Sequence, residues 1–391
     1  MNLRMILILG ALSAFGPLAI DFYLPAFPAM AQAFATDEKH VQTTLAAYFL
    51  GLSIGQLAYG PIADRFGRRL PLLFGVGLFA AASLVCVFAP TLDALVAARF
   101  VQALGGCAGM VLSRAIVIDR CEPIDAAKVF SQLMLVMGLA PILAPMLGGL
   151  LVSVSGWQSI FLVLSLFSAT CLVAVYLGLG ESMPAHLPRQ PLSGALRQYG
   201  RLLRDRAFVG HALTGGIAIA GMFAYIAGSP FVFIKLYGVP AEHYGWLFGI
   251  NAAGFILVGQ VNARLLARRG PAVLLGRAVW VYVAAALTLL LVATLRPASL
   301  WPLLVPLFVC IASLGCIAPN ASACAMAGQG ARAGSASALM GCMQFSVASA
   351  AAALVGVLHD GSAVPMALVI SVCGTAVVIL AALARRAERA A

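Results

Sequence analysis

The chain has 391 residues, of which 62% are apolar and 9% are charged. Soluble domains are about half apolar and about a quarter charged, so this composition excludes an ordinary water-soluble protein. The net charge of +11 does not indicate nucleic-acid binding, because that needs a basic face on a soluble module and here the basic residues fall mainly between apolar runs.

Apolar runs long enough to cross a membrane follow one another along the whole chain. A hydrocarbon core of about 30 Å needs about 20 residues per helix. In the first half we predict spans at residues 5–27, 41–63, 70–90, 93–118, 129–154 and 157–180. In the second half they fall at 207–235, 241–268, 272–294, 299–326, 333–358 and 363–384. The sequence therefore predicts an all-α integral membrane protein with twelve transmembrane helices.

A stretch that contains prolines and arginines, residues 181–206, separates the two sets of spans. Gly55-Gln56 in the first set recurs as Gly259-Gln260 in the second, which indicates two related halves with a substrate path between them near the midplane. We therefore predict an N-terminal six-helix bundle at residues 1–180, a cytoplasmic linker at 181–206 and a C-terminal six-helix bundle at 207–391.

The positions of Lys and Arg predict the orientation of the spans. Basic residues are in excess in the cytoplasmic loops of such proteins, and with the N-terminus inside only Lys39, Lys235 and Arg296 fall in outer loops. We therefore expect both termini in the cytoplasm. A cleaved signal peptide is the alternative for the first span, but its apolar stretch is longer than a signal h-region.

Asp21 is the one acidic residue well inside a predicted span. A carboxylate at such depth is costly unless it is paired, protonated or hydrated, so it is a functional candidate. Burial favours its neutral form and a nearby cation its charged form, so it could exchange a proton near neutral pH. Arg99, at a similar depth in the fourth span, is the candidate cation. Three alternatives stay open: the pair couples proton movement, it is a static ion pair, or the two side chains do not meet.

The loop between the second and third spans reads Gly60-Pro61-Ile62-Ala63-Asp64-Arg65-Phe66-Gly67-Arg68-Arg69. Its glycines permit a tight turn, and Asp64 and the arginines can cap helix ends and bridge to neighbouring helices. Such bridges can break and reform, which predicts a latch for one conformation. The alternative is a loop whose basic residues only fix the topology.

The fifth predicted span carries Pro141, Pro145, Gly148 and Gly149. Prolines kink a helix and free backbone carbonyls, while small residues let neighbouring helices approach closely. This pattern predicts a bending or sealing helix between the halves, and close packing alone is the alternative.

Polar and aromatic residues interrupt several apolar spans and could line a cavity for a largely apolar ligand. The candidate substrate-binding residues are Tyr23, Gln102, Tyr225, Phe231, Asn251, Asn320 and Gln344. For each of them, ordinary hydrogen bonding or packing between helices is the alternative.

These motifs resemble those of the major facilitator superfamily, in particular the drug:proton antiporter branch with the bicyclomycin and chloramphenicol resistance exporters. The Gly60–Arg69 loop is similar to the superfamily's loop signature, and the segment Asp21–Pro28 resembles the first-span signature of the branch. Arg99-Phe100-Val101-Gln102 resembles the fourth-span motif that the family ties to proton coupling. Pro145, Gly148 and Gly149 resemble the antiporter motif, with Ala144 where the family has glycine.

The resemblance implies two pseudo-symmetric six-helix bundles in a bacterial inner membrane and proton-driven export of small, largely apolar molecules such as antibiotics. A metabolite exporter and a passive facilitator are the alternatives. We expect no enzyme activity, no cofactor and no metal. None of the three lysines follows a glycine, so the chain has no Walker A sequence for ATP. The expected partners are a small-molecule substrate, protons and the lipid bilayer, without nucleic acid, and we expect a monomer.

Overall fold

The computed structural model describes residues 3–120, 143–183, 192–327 and 333–390, together with the single residues Val129, Leu133, Ala140 and Gln329. Throughout these residues the chain forms helices joined by short turns. Eleven of the helical segments are long and apolar enough to cross a membrane. The prediction of an all-α protein with many membrane spans is confirmed.

In the first half the helices are α1 (Leu3–Ser13), α2 (Phe15–Asp21), α3 (Phe27–Ala33), α4 (Glu38–Phe66), α5 (Arg69–Val87), α6 (Leu92–Arg120), α7 (Leu143–Ser155) and α8 (Gln158–Gly178). Helices α1 to α3 form a single membrane-length segment. Helix α7 covers the last part of the predicted fifth span, and Pro141 of that span lies outside the described residues. So do Lys128, Arg189 and Arg332 of the predicted inner segments.

In the second half the helices are α9 (Leu192–Arg204), α10 (Arg206–Pro230), α11 (Ala241–Arg269), α12 (Pro271–Thr294), α13 (Trp301–Met326), α14 (Ala333–Val357) and α15 (Val364–Ala390). A π-helical turn at Phe231–Leu236 continues α10. Helix α9 lies inside the predicted linker, where the Tyr199 hydroxyl donates to the Leu57 carbonyl of α4 at 3.3 Å. The limits of the two bundles and of the linker, at residues 1–180, 181–206 and 207–391, stay a prediction.

Prolines interrupt the first membrane-length segment. Pro17 has no N–H to donate to the carbonyl of Ser13, the residue at which α1 ends. Pro25 likewise cannot donate to Asp21, where α2 ends before a 3₁₀ turn at Leu24–Ala26. The second interruption leaves backbone carbonyls near Asp21 without helical donors, so other side chains can bind them.

The two halves touch at one end of the bundle. We call the end that carries the Phe66–Arg69 turn the motif face and the other end the opposite face. Near the opposite face, a side-chain carbon on Gly356 of α14 would lie 3.0 Å from the Lys39 carbonyl oxygen. At the same end, a side-chain carbon added to Gly245 of α11 would lie 2.7 Å from the backbone nitrogen of Met146 in α7. The halves therefore approach each other closely at the opposite face.

Helices α4 and α14 form an extensive contact between the halves. Ser53 Oγ lies 2.7 Å from Ser346 Oγ and donates to the Cys342 carbonyl at 3.1 Å. Further towards the motif face, a side-chain carbon on Gly341 of α14 would lie 2.9 Å from the side-chain amide of Gln56 in α4. The contact between these two helices therefore extends from the opposite face at least as far as Gln56.

Candidate functional site

Arg99 of α6 is completely buried, with 0% of its surface exposed. Its Nη2 donates to the Ala19 carbonyl at 2.8 Å, and its Nη1 donates to Gln102 Oε1. Gln102 Nε2 in turn donates to Ser83 Oγ at 2.7 Å. Because α2 ends two residues after Ala19, the interrupted helix supplies the carbonyl that binds Arg99.

Aromatic rings surround the Arg99 guanidinium. Its central carbon lies 4.1 Å from the ring centroid of Tyr48 in α4 and 4.3 Å from that of Tyr23. The ring of Phe161 in α8 lies at 5.7 Å. All three distances are within the range of a cation–π interaction. We call Tyr23, Tyr48 and Phe161 the aromatic cage.

Asp21 is 4% exposed, and its Oδ1 is buried without a hydrogen-bond partner in the described part of the chain. No ion pair within 4.0 Å joins it to Arg99; the ion pairs between described residues are those of Arg68. The static pair considered from the sequence is therefore absent in this conformation. The proton-coupling role of Asp21 and Arg99 stays a prediction.

Two tyrosines of the second half lie within electrostatic reach of the Asp21 carboxylate, namely Tyr225 of α10 and Tyr244 of α11. Asn251 Nδ2 donates to the Tyr225 hydroxyl at 3.1 Å. The Tyr244 hydroxyl lies 2.7 Å from Ser229 Oγ. The structure thus brings the buried acid of the first half near two phenols of the second.

The remaining candidate substrate-binding residues lie apart from this group. Gln344 lines a small cavity between α10, α13 and α14. Asn320 is fully buried and donates to Asn262 Oδ1 at 2.7 Å. Phe231 lies edge-on to His359, with 4.3 Å between the ring centroids. A substrate-binding role for each candidate stays a prediction.

Arg68 connects two acids at the motif face. Its Nη1 lies 2.5 Å from Asp64 Oδ1 and its Nε lies 3.0 Å from Asp119 Oδ2. Ser182, just after α8, also donates to Asp119 at 3.1 Å. These bonds join the ends of α4, α6 and α8 within the first half, so the predicted loop does bridge neighbouring helices.

Glu181 caps the start of α5. Its Oε1 accepts the backbone N–H groups of Arg68, Ser182 and Met183, each at 2.9 Å, and its Oε2 accepts that of Arg69 at 3.2 Å. Burial alone would raise the pKa of Glu181, but these backbone donors outweigh it and hold that pKa below its usual value. The carboxylate thereby satisfies amides that the first turn of α5 leaves without helical partners.

The other members of the loop have separate contacts. Gly67 has a φ of +89°, and a side-chain carbon there would overlap Glu181 Oε2. Glycine is therefore required by the backbone conformation and by the bound carboxylate. Arg69 Nη2 donates to the Tyr176 carbonyl at 2.8 Å. Arg65 is exposed and lies beside the ring of the next residue.

Helix α7 approaches the interruption in the first segment. Pro145, Gly148 and Gly149 are buried. A side-chain carbon on Gly148 would overlap the Phe22 carbonyl, immediately after Asp21. The small residue thus allows close contact at the candidate proton site, and whether α7 bends or seals stays a prediction.

The sequence analysis missed several residues of these groups: Tyr48, Phe161, Asp119 and Glu181. The two acids stand next to or near the basic residues of predicted inner segments, so the charge pattern contained a signal for them. The two rings lie in predicted membrane spans where aromatic residues are common, and only the three-dimensional arrangement places them against Arg99.

Comparisons with known proteins agree with this architecture. The chain is 40% identical over 340 residues to an uncharacterized MFS-type transporter, YdgK, of Bacillus subtilis, covering 85% of this chain and 83% of the relative. It is 31% identical over 323 residues to a bicyclomycin resistance protein homolog of Haemophilus influenzae, covering 82% and 81%. These relatives are transporters or resistance proteins by name and not enzymes.

A solved structure of a bacterial homolog of the human lysosomal transporter Spinster, inward-facing and occupied, has the same fold. The TM-score is 0.72 at 15% identity, and the match covers 98% of this chain and 96% of that chain. The sequence model of the Major Facilitator Superfamily matches residues 7–353. This chain belongs to the major facilitator superfamily and is a membrane transporter.

Proposed function

We propose that this protein exports small, largely apolar molecules such as antibiotics from the bacterial cytoplasm in exchange for protons. The observation that carries the proposal is Asp21, a buried carboxyl group within a membrane span, near the boundary of the halves and without an ion-pair partner among the described residues. An acidic group held in that way inside a membrane is typical of proton relays in transporters.

In the proposed cycle, Asp21 takes a proton from outside as substrate leaves, and the halves then rock to release the proton inside. Arg99 lies close enough to restrain the interrupted helix at the Ala19 carbonyl. A change in that contact would alter the affinity of Asp21 for a proton as the cavity changes exposure.

The proposed orientation has the motif face and both termini in the cytoplasm of a bacterial cell. Arginines are concentrated at the motif face, and cytoplasmic loops carry such an excess. We also propose a monomer in the inner membrane whose partners are substrate, protons and lipid, with no nucleic acid.

The kind of cargo is proposed from one relative and from the site. The Haemophilus relative is named for bicyclomycin resistance, which supports an antibiotic as cargo. Tyr225 and Asn251 offer a ring and an amide among apolar neighbours, and a largely apolar ligand with a few polar groups suits such a surface.

The experiment expresses the wild type and Asp21→Asn in a bacterium that lacks its main efflux pumps. Resistance to bicyclomycin-type and chloramphenicol-type compounds and the proton movement in inverted vesicles are measured together. We expect the wild type to confer resistance with proton counterflow and Asp21→Asn to lose both. The matched control is Asp93→Asn, which removes an exposed acid at the start of α6 and should behave as the wild type.

Other results of this experiment would favour a different function or a different coupling residue. Resistance without a response to the proton gradient would favour a passive facilitator. If no tested drug is exported while an amino acid, sugar or nucleoside is, the cargo is a metabolite. Intact counterflow in Asp21→Asn would contradict the assignment of the coupling residue.

A further inference from the structure

Arg99 carries a buried positive charge that has no acidic partner among the residues the structure describes. None of its surface is exposed, and no carboxylate lies within 4.0 Å in the described part of the chain. A buried guanidinium left unbalanced is destabilising, and truly buried charges are normally paired. Some other group must therefore stabilise this one.

The aromatic cage supplies that stabilisation. The Tyr48 and Tyr23 rings lie 4.1 and 4.3 Å from the guanidinium carbon, and Phe161 lies at 5.7 Å. A cation–π contact is stronger when it is shielded from water. Neutral acceptors, the Ala19 carbonyl and Gln102, bind its Nη atoms. Ring faces and neutral oxygens thus take the place of a counterion.

Tyr48 is the ring whose contribution is easiest to isolate. Its centroid is the nearest to Arg99, and its hydroxyl is buried with no hydrogen-bond partner among the described residues. Tyr23, by contrast, also shares a hydrogen bond of 3.1 Å with Thr44. Replacement of Tyr48 by phenylalanine would therefore keep the interaction with Arg99 and remove no bond.

We propose that Tyr48 is a positioning residue of the proton site, whose ring holds the Arg99 guanidinium away from Asp21 and so leaves the acid free to bind a proton in this conformation. The inference rests on the proposed proton-coupled function. Arg99 binds the backbone carbonyl two residues before Asp21, so a guanidinium released from the rings stays tied to the chain segment that carries the acid. At low dielectric their attraction is strong, and an ion pair would favour the ionised carboxylate.

Among the described residues, the groups around the site are neutral apart from Asp21 and Arg99. The ionisable side chains that face Asp21 or Arg99 from the surrounding helices are Tyr23, Tyr48, Cys86, Tyr225 and Tyr244. Phenols and thiols carry no charge near neutral pH. Among the described residues, Arg99 is therefore the cation whose approach would favour the ionised form of Asp21.

The test follows the protonation of Asp21 directly in purified protein. Infrared spectra of the wild type are recorded against pH, and the carboxylic-acid band that is missing in Asp21→Asn is assigned to Asp21. We expect Tyr48→Phe to titrate as the wild type. Tyr48→Leu should lose the band at a pH lower by about one unit, an approximately tenfold weaker affinity for the proton.

An unchanged titration in folded Tyr48→Leu would overturn the inference. If Tyr48→Leu does not fold, Phe161→Leu removes the most distant ring of the cage and should give a smaller shift in the same direction; no shift would again overturn it. The infrared titration needs no substrate, so it tests the role of Tyr48 separately from proton-coupled export. Transport with intact counterflow in Asp21→Asn contradicts the proposed function, whereas identical titrations contradict only the role of Tyr48.

Discussion

Ser53 of α4 and Cys342 of α14 lie on opposite sides of the boundary between the halves, with 3.3 Å between Oγ and Sγ. The same serine is bonded to Ser346 at 2.7 Å, and Ser349 donates to the Ala46 carbonyl at 2.8 Å. Alternating access requires the halves to move relative to each other. This row of short side chains is therefore a place where a covalent bond would stop the movement.

Ser53→Cys should form a disulfide with the native Cys342 under mild oxidation. The existing distance is short, and small local shifts can bring two sulfurs to bonding distance. We expect transport to fall to background on oxidation and to return on reduction. Transport in vesicles and a mass shift of the linked peptides are the measurements.

The matched control for this crosslink is Ser53→Cys combined with Cys342→Ser. It keeps the new thiol and removes its partner, so oxidation should leave transport unchanged. Full activity in the crosslinked protein would show that α4 and α14 do not separate during transport.

Gly148→Ala should impair transport and lower stability by about 1 to 3 kcal/mol, the usual cost of overpacking. The added carbon would overlap the Phe22 carbonyl, which cannot move without displacing the chain next to Asp21. Thermal unfolding and substrate transport are the measurements. Gly200→Ala in α9 is the control, because a carbon there meets no atom of the described residues within 4 Å. The stability of this variant should be unchanged or slightly higher.

The sequence predicted the membrane helices well because their length and apolarity are local properties. It could not predict that α2 ends at Asp21 and that the Ala19 carbonyl binds Arg99, since that depends on a side chain from another helix. It placed Asp21 and Arg99 at a similar depth, but depth alone does not determine which way a side chain points. The direct pair is replaced here by rings of α4 and α8, which no periodicity reveals.

Asp119→Asn should destabilise the protein more than Asp64→Asn, although both acids bind Arg68. The side chains of Arg68 and Asp119 are 12% and 11% exposed, whereas that of Asp64 is 48% exposed. Loss of a shielded charged hydrogen bond costs about 2 kcal/mol, and an exposed ion pair contributes less than about 1 kcal/mol. Chemical unfolding in detergent measures both variants, and equal losses would contradict this ranking.

Glu181→Ala should lower the stability of the motif face near neutral pH, by about 1 kcal/mol as for other helix caps. Because the pKa of Glu181 in the folded protein lies below its usual value, its contribution is complete above the unfolded value of about 4.3 and is lost as the pH falls through the folded value. The variant and the wild type should therefore differ at pH 7 and converge in acid. A difference that persists unchanged at low pH would contradict a role for the carboxylate charge.

The central claim is that Asp21 exchanges a proton for substrate. Its most direct test is the pH change when a transported compound is added to purified protein in weakly buffered detergent solution. We predict that the wild type releases protons on binding, whereas Asp21→Asn binds the compound without releasing any. Equal proton release by the wild type and Asp21→Asn would contradict the account.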